Sequence, residues 1–147
     1  MEAPAVKYLL DTAPWINGVT LPEAIPPRIR RLVATADKKG LCQVSLLEAA
    51  ILYRLGRLTF EGRLPELFSA GLSDDVELLS LTPAIAAKTN DLPGDFTGDP
   101  FDRTLIATAA VLDLTLITTD AAIRDAGACA VEYYPFKPVT ARRRQRS

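Results

Sequence analysis

The sequence predicts an α/β fold in which a parallel sheet is covered by helices on both faces. Short apolar segments that are typical of strands alternate with longer segments whose apolar residues recur at helical spacing. The strand segments are continuous apolar runs, which is typical of strands buried on both faces. A chain of 147 residues, 48% of them apolar, suits one domain with a sizeable core.

Five segments of the first half have the length and periodicity of regular elements: strands at 6–10 and 41–44, and helices at 21–39, 45–56 and 63–72. In the helix predicted at 21–39, Pro26 and Pro27 belong in the first turn, where a missing N–H costs little. Gly40 is expected to end that helix. The glycine at 56 ends the next one in the same way.

Six further elements are predicted in the second half: strands at 76–81, 115–119 and 130–134, and helices at 83–90, 100–114 and 121–127. The helix at 100–114 has the clearest beginning, because Asp99 at the N-cap is followed by Pro100. We expect residues 1–137 to form one domain and residues 138–147, which contain four arginines, to be a flexible basic tail.

The composition excludes several kinds of site. The chain has no histidine, which excludes mechanisms and zinc sites that need an imidazole. Cys42 and Cys129 lie among apolar neighbours and are expected to be buried free thiols. The sequence has no apolar run long enough to span a membrane and no signal-peptide layout at its N-terminus, so a cytoplasmic protein is expected.

Four acidic residues fall where strands give way to helices. They are Asp11 after the first strand, Glu48 after the second, Asp102 at the start of the long helix and Asp120 after TLITT. The carboxyl ends of parallel strands lie at one edge of an α/β sheet, and functional groups gather there. The predicted fold therefore brings the four carboxylates to one rim.

Helix capping is an alternative explanation for each acid taken singly. Ser45 and Glu48 have the spacing of a capping box, and so have Asp99 and Asp102. Asp120 also precedes a helix, and acids are favoured in first turns by the helix dipole. Of the two acids at the start of the long helix, Asp99 is the better candidate for the N-cap and Asp102 is the better candidate for a ligand. Capping gives no reason for all four acids to share one location.

Carboxylates gathered at one rim need a counter-charge. Two of them ~5 Å apart repel by ~3 kcal/mol at an effective dielectric constant of about 20. Divalent cations that prefer oxygen ligands, above all Mg²⁺ and Mn²⁺, relieve this repulsion. Such an ion is suited to phosphodiester hydrolysis, because it activates water and stabilises charge on the phosphate. The four acids are therefore candidate metal ligands and catalytic residues.

The motifs around these acids resemble those of PIN-domain ribonucleases, and among them the VapC-like toxins of prokaryotic type II toxin–antitoxin modules. The four acids lie in YLLDT (Asp11), VSLLEAAILYRLGRL (Glu48), GDPFDRTLIATA (Asp102) and LITTD (Asp120). The resemblance extends from about Tyr8 to Tyr134, and GDPFDRTLIATA is its most specific part. Asp99, Thr119 and Arg103 are candidates for supporting positions. Arg103 is expected either to orient a carboxylate or phosphate or to be a solvated helix residue.

The resemblance implies a PIN-like fold, with a mostly parallel sheet of about five strands and helices on both faces. It implies metal-dependent cleavage of RNA with Mg²⁺, or with Mn²⁺ in its place, through Asp11, Glu48, Asp102 and Asp120. It also implies homodimerisation, and inhibition by a small cognate antitoxin whose C-terminal segment enters the active-site groove.

Three positions differ from the pattern of this subgroup. Its members often have a histidine two residues after the first acid, where this chain has Ala13. They often have a histidine and a basic residue before DPFD, where this chain has Thr97 and Gly98. Because all four acids are present, activity is still expected, and the differences bear on how the substrate is positioned.

Other classes fit the residues less well. A haloacid-dehalogenase-like phosphatase would have a second acid at Ala13, and a response-regulator receiver would have an acid at the end of VELLSLTP. The alternative from a different class is a catalytically silent PIN-like module that only binds a protein partner. Binding of Mg²⁺ or Mn²⁺ would distinguish it from an enzyme.

Overall fold

A computed structural model describes residues 6–58, 60–93, 96 and 98–136. In chain order its elements are β1 (Val6–Leu10), α1 (Thr12–Thr20), a 3₁₀ turn (Pro22–Ala24), α2 (Pro27–Val33), β2 (Lys38–Cys42), α3 (Gln43–Arg54), α4 (Leu64–Gly71), β3 (Val76–Leu79), α5 (Pro83–Thr89), α6 (Pro100–Leu112), β4 (Thr115–Thr118), α7 (Ala121–Ala126) and β5 (Val131–Tyr133). The predicted tail at 138–147 lies outside the described residues.

Within the described residues the sheet has five strands in the order β3-β2-β1-β4-β5, and every pairing is parallel. This confirms the predicted fold class. Leu10 pairs with Leu41 on one side and with Ile117 on the other. The residues that follow these three, Asp11, Cys42 and Thr118, therefore lie at one level along the carboxyl edge of the sheet.

The core is divided between the two faces of the sheet. Leu9 and Leu116 pack with α6 and α7 on one face, whereas Leu10 and Ile117 pack with α1, α2 and α3 on the other. Alternate residues of one strand point to opposite faces, so both faces of β1 and β4 are apolar. Cys42 is buried and Cys129 is half-buried; both are free thiols, and burial raises the pKa of each to about 11.

The predictions for residues 12–44 are wrong in three respects. Residues 12–20, for which no element was predicted, form α1. The long helix predicted at 21–39 is a 3₁₀ turn, the seven-residue α2 and the beginning of β2. The strand predicted at 41–44 is β2, which begins at Lys38 and ends at Cys42.

Gly40 lies inside β2 and does not end a helix. A Cβ atom at this position would stand 2.9 Å from Leu79 Cδ1 and 3.1 Å from Val6 Cγ1. The absence of a side chain therefore lets the side chains of the two neighbouring strands close over β2.

We expect Gly40→Ala to lower the free energy of unfolding by about 1–3 kcal/mol, because the added methyl group overpacks this site. Gly18→Ala in α1 is the matched control, since nothing lies within 4 Å of its Cβ position. Alanine there should stabilise the protein by up to about 1 kcal/mol. Urea unfolding curves of both variants measure the difference. An unchanged midpoint for Gly40→Ala would show that the strands relax around the methyl group.

The described residues contain no helix that is long and apolar enough to cross a membrane.

Candidate active site

Asp11 occupies the junction between β1 and α1 and is 8% exposed. It is the N-cap residue of α1, and its Oδ1 accepts a hydrogen bond of 2.7 Å from the backbone N–H of Thr12. Its Oδ2 accepts a hydrogen bond of 2.7 Å from the hydroxyl of Thr118. Burial raises the pKa of Asp11, and these two hydrogen bonds oppose that rise. The carboxylate is thus held in place through both of its oxygens.

Glu48 lies one turn further into α3 than the sequence predicts. The N-cap residue of α3 is Cys42, so Ser45 is already inside the helix and the capping box predicted for Ser45 and Glu48 is wrong. Glu48 Oε1 instead accepts a hydrogen bond of 2.6 Å from the hydroxyl of Thr12 in α1. The pKa of Glu48 is raised, first by burial and then by the negative charges of Asp11 and Asp99.

The beginning of α6 brings two more carboxylates to the same edge. Asp99 is the N-cap residue, and its Oδ1 accepts a hydrogen bond of 2.8 Å from the N–H of Asp102. Its predicted capping role is therefore confirmed. Burial, followed by the negative charges of its acidic neighbours, raises the pKa of Asp102 to about 7. In decreasing order of effect these neighbours are Asp99, Asp11, Asp120 and Glu48.

Asp120 follows β4 and is the N-cap residue of α7, where its Oδ1 accepts a hydrogen bond of 2.8 Å from the N–H of Ala122. Its own N–H donates to Thr118 Oγ1 at 3.0 Å. Because the hydroxyl of Thr118 also donates to Asp11, one threonine links the acids that follow β1 and β4. The predicted cap at Asp120 is confirmed, and it does not prevent the second carboxylate oxygen from binding a cation.

Arg103 has a role that the sequence did not predict. Its guanidinium donates hydrogen bonds to the backbone oxygen of Thr89, at 3.1 and 2.6 Å, and to that of Phe96, at 2.7 Å. These bonds tie α6 to the segment that leads to Asp99, so the expectation of a solvated helix residue is wrong. That Arg103 orients a carboxylate or a phosphate stays a prediction. Thr119 is half-buried, and its supporting role stays a prediction.

Three hydroxyl residues at the site were missed in the sequence. Thr12, Ser45 and Thr118 are all buried and bond to one another or to the acids. In sequence, Thr12 follows Asp11, Ser45 lies three residues before Glu48, and Thr118 lies two residues before Asp120. A search for hydroxyl side chains within two residues of acids at the ends of strands would have found Thr12 and Thr118, together with Thr119.

The acids lack a protein counter-charge within the described part of the chain, since none of its ion pairs includes Asp11, Glu48, Asp102 or Asp120. An all-carboxylate donor set suits Mg²⁺ or Mn²⁺. As they stand, no three potential ligands among the described residues are arranged to hold one ion. Binding would require the carboxylates to converge, and their mutual repulsion opposes this until a cation is present.

A separate apolar cavity of about 380 Å³ lies between α1, α2 and the sheet, and Trp15, Ile29 and Tyr134 are among its lining residues. None of the four acids lines it. Glu48, Asp102 and Asp120 are instead partly exposed at the rim. A long polymer can reach such a rim, whereas a concave apolar pocket suits a small ligand.

Comparisons with known proteins give a family match and a curated relative. The model of the PIN domain family matches residues 8–128. Among curated proteins, the chain is similar to ribonuclease VapC22 of Mycobacterium tuberculosis, with 30% identity over 104 residues that cover 70% of this chain and 78% of that protein.

Solved structures of low sequence identity share the fold. A VapBC2 complex of Rickettsia felis bound to promoter DNA is 13% identical with a TM-score of 0.65, covering 87% of this chain and 98% of that one. DNA-bound VapBC of Salmonella typhimurium is 18% identical with a TM-score of 0.63, with the same coverage of 87% and 98%. A toxin–antitoxin complex of Klebsiella pneumoniae is 17% identical with a TM-score of 0.60, covering 88% and 100%.

Proposed function

The chain belongs to the PIN domain family, and from this premise we propose that it is an endoribonuclease that acts as the toxin of a toxin–antitoxin pair. The observation that carries the proposal is that Asp11, Glu48, Asp102 and Asp120 lie near the same edge of the sheet. After burial and the charge of Asp99, the charges of the other three acids raise the pKa of Asp102. Similarity to a ribonuclease and to toxin–antitoxin complexes supports it.

We propose that Asp11, Glu48, Asp102 and Asp120 hold Mg²⁺, or Mn²⁺ in its place. When bound, such an ion supplies Lewis acidity toward water and toward the phosphate. The protein's own part is to orient the carboxylates and to set whether each of them carries a proton. Thr118 and the N–H of Thr12 fix the carboxylate of Asp11. Asp102, with a pKa of about 7, can hold or release a proton near neutral pH.

The proposed partners follow from the same function. The proposed substrate is RNA, which would bind along the open rim. The proposed location of the activity is the cytoplasm. A small cognate antitoxin is proposed because the structural neighbours include VapBC and toxin–antitoxin complexes. A homodimer is proposed as the assembled form of the toxin.

RNA cleavage by the purified chain should disappear in excess EDTA and return when Mg²⁺ or Mn²⁺ is added beyond the chelator, because the uncompensated carboxylates would repel the phosphate. A gel assay with a mixed RNA substrate measures this, and EDTA already saturated with Mg²⁺ is the control. Undiminished cleavage in free EDTA would contradict the metal-dependent mechanism. An absence of cleavage together with an absence of Mn²⁺ binding would favour the silent protein-binding module.

A further inference from the structure

Thr12 stands between two of the four acids and contacts both of them. Its backbone N–H donates to Asp11 Oδ1 at 2.7 Å, and its hydroxyl lies 2.6 Å from Glu48 Oε1. The same hydroxyl is 2.9 Å from Ser45 Oγ. Thr12 is 2% exposed and Ser45 is fully buried, whereas Glu48 is half-buried, so water has little access to the hydroxyl of Thr12.

The local folding of the chain explains how these groups meet. Thr12 is the first residue of α1 and is separated from β1 by Asp11 alone, so its N–H is one of the donors at a helix N-terminus that lack a partner within the helix. Ser45 and Glu48 are three residues apart in α3, which puts their side chains on one face of that helix. That face is turned toward Thr12, because both side chains lie within hydrogen-bond distance of its hydroxyl.

The chemistry of the hydroxyl gives the contact a direction. A hydroxyl has one hydrogen and can accept two hydrogen bonds. The shorter distance and the charge on the carboxylate favour donation from Thr12 to Glu48. The hydroxyl of Ser45 is then the donor to Thr12. The resulting chain from Ser45 through Thr12 to Glu48 fixes a side chain that would otherwise rotate about three bonds.

We propose that Thr12 is a positioning residue that holds Asp11 and Glu48 in one relative geometry and thereby sets the affinity of the site for a divalent cation. This inference rests on the proposed metal-dependent function. A ligand that is already oriented loses less conformational freedom when the ion binds, so the hydroxyl contributes to affinity without touching the ion. The hydroxyl of Thr118 donates to Oδ2, the other oxygen of Asp11, and so fixes the same carboxylate from a second direction.

The test is the affinity of the full-length protein for Mn²⁺ alone, measured by titration calorimetry without RNA. Thr12→Val removes the hydroxyl and keeps the shape, and we expect it to weaken Mn²⁺ binding by about 10- to 100-fold. Thr12→Ser keeps the hydroxyl and should recover most of the affinity. Circular dichroism confirms that each variant is folded at the temperature of the titration.

Thr108→Val is the matched control. Thr108 is as buried as Thr12, at 1% exposure, but its hydroxyl donates to the backbone oxygen of Thr104 in its own helix, at 2.7 Å. Its loss should leave the affinity for Mn²⁺ unchanged, whatever it does to stability. Weaker Mn²⁺ binding by Thr12→Val, together with unchanged binding by Thr108→Val, therefore excludes a general loosening of the fold as the cause.

Two results would overturn the inference while leaving the proposed function in place. One is an equal affinity of the parent and Thr12→Val for Mn²⁺, and the other is a Thr12→Ser variant as weak as Thr12→Val. A parent protein that binds no Mn²⁺ would overturn the proposed metal site and this inference together. The three results are distinguishable because the parent is titrated first.

Discussion

Asp102→Asn is expected to abolish metal-dependent RNA cleavage and, in the presence of chelator at pH 8, to leave the protein at least as stable as its parent. Burial and four neighbouring carboxylates raise the pKa of Asp102 to about 7, so its ionised form is unfavourable in the folded protein. Asparagine removes the charge at almost constant size. Because Asp102 is half-buried and partly screened by solvent, we expect the gain to be of the order of 1 kcal/mol.

The competing explanation is that Asp102 chiefly supports the N-terminus of α6. It predicts the opposite result for both the stability and the cleavage activity of the variant. Loss of a favourable interaction with the helix dipole would lower the stability by about 0.3–1 kcal/mol and leave cleavage intact. Melting curves in chelator and in Mn²⁺, beside a cleavage assay, separate the two explanations. Mn²⁺ should raise the melting temperature of the parent more than that of the variant, since a ligand stabilises only the state that binds it.

Asp113→Asn is the control for this experiment. Asp113 is an exposed acid at the other end of α6, with a left-handed φ of 57°, which asparagine also tolerates. Cleavage and the response to Mn²⁺ should be unchanged in this variant. An Asp102→Asn protein that is less stable in chelator and still cleaves RNA would return Asp102 to the role of a helix-end residue.

The shared location of the acids was predictable because it depends on two robust features of the sequence. Apolar strands define a parallel sheet, and the acids follow those strands or begin the next helix. Asp11 and Asp120 illustrate this. Asp11 directly follows β1, Asp120 lies two residues after the end of β4, and the two strands pair with each other in the centre of the sheet. An error of one or two residues in the boundary of a strand does not move such an acid to another edge.

The helix α1 and the bounds of α2 were not predictable from local preference. The sequence of α1, TAPWINGVT, contains a proline, a glycine and several β-branched residues, which are poor helix formers. The helix is stable because Trp15 and Ile16 are buried against the core, so packing outweighs propensity. In 21–39 the helical spacing was correct only for Pro27–Val33, and Lys38 and Lys39 gave no sign that a strand begins there.

The hydrogen bonds that join Ser45, Thr12 and Glu48 were not predicted, because the start of α3 was misplaced. Ser45 was interpreted as a helix cap because the spacing to Glu48 fits a capping box. The helix begins at Gln43, which places Ser45 inside its first turn and turns both side chains toward Thr12. A shift of three residues in the helix cap, from Ser45 to Cys42, thus changes the partner of Glu48 from its own backbone to another helix.

Mn²⁺ binding should weaken by about tenfold between pH 8 and pH 6, because the ion must displace the proton that Asp102 holds below a pKa of about 7. The raised pKa values of Asp11 and Glu48 act in the same direction. Calorimetry at the two pH values, in buffers of different ionisation enthalpy, measures both the affinity and the number of protons released. Asp102→Asn should release fewer protons at pH 6 and show a flatter dependence on pH.

The same groups fix the sign of the pH dependence in the metal-free protein. A carboxyl group whose pKa is raised on folding keeps its proton in the folded state at pH values where the unfolded chain has lost it. The stability in chelator should therefore fall as the pH rises from about 4, the ordinary pKa of a carboxyl group, to about 7, the pKa of Asp102. Mn²⁺ should reverse this trend, giving its largest rise in melting temperature at pH 8 and little at pH 5. An equal rise at both pH values, with no proton released on binding, would mean that the ion binds outside this group of carboxylates.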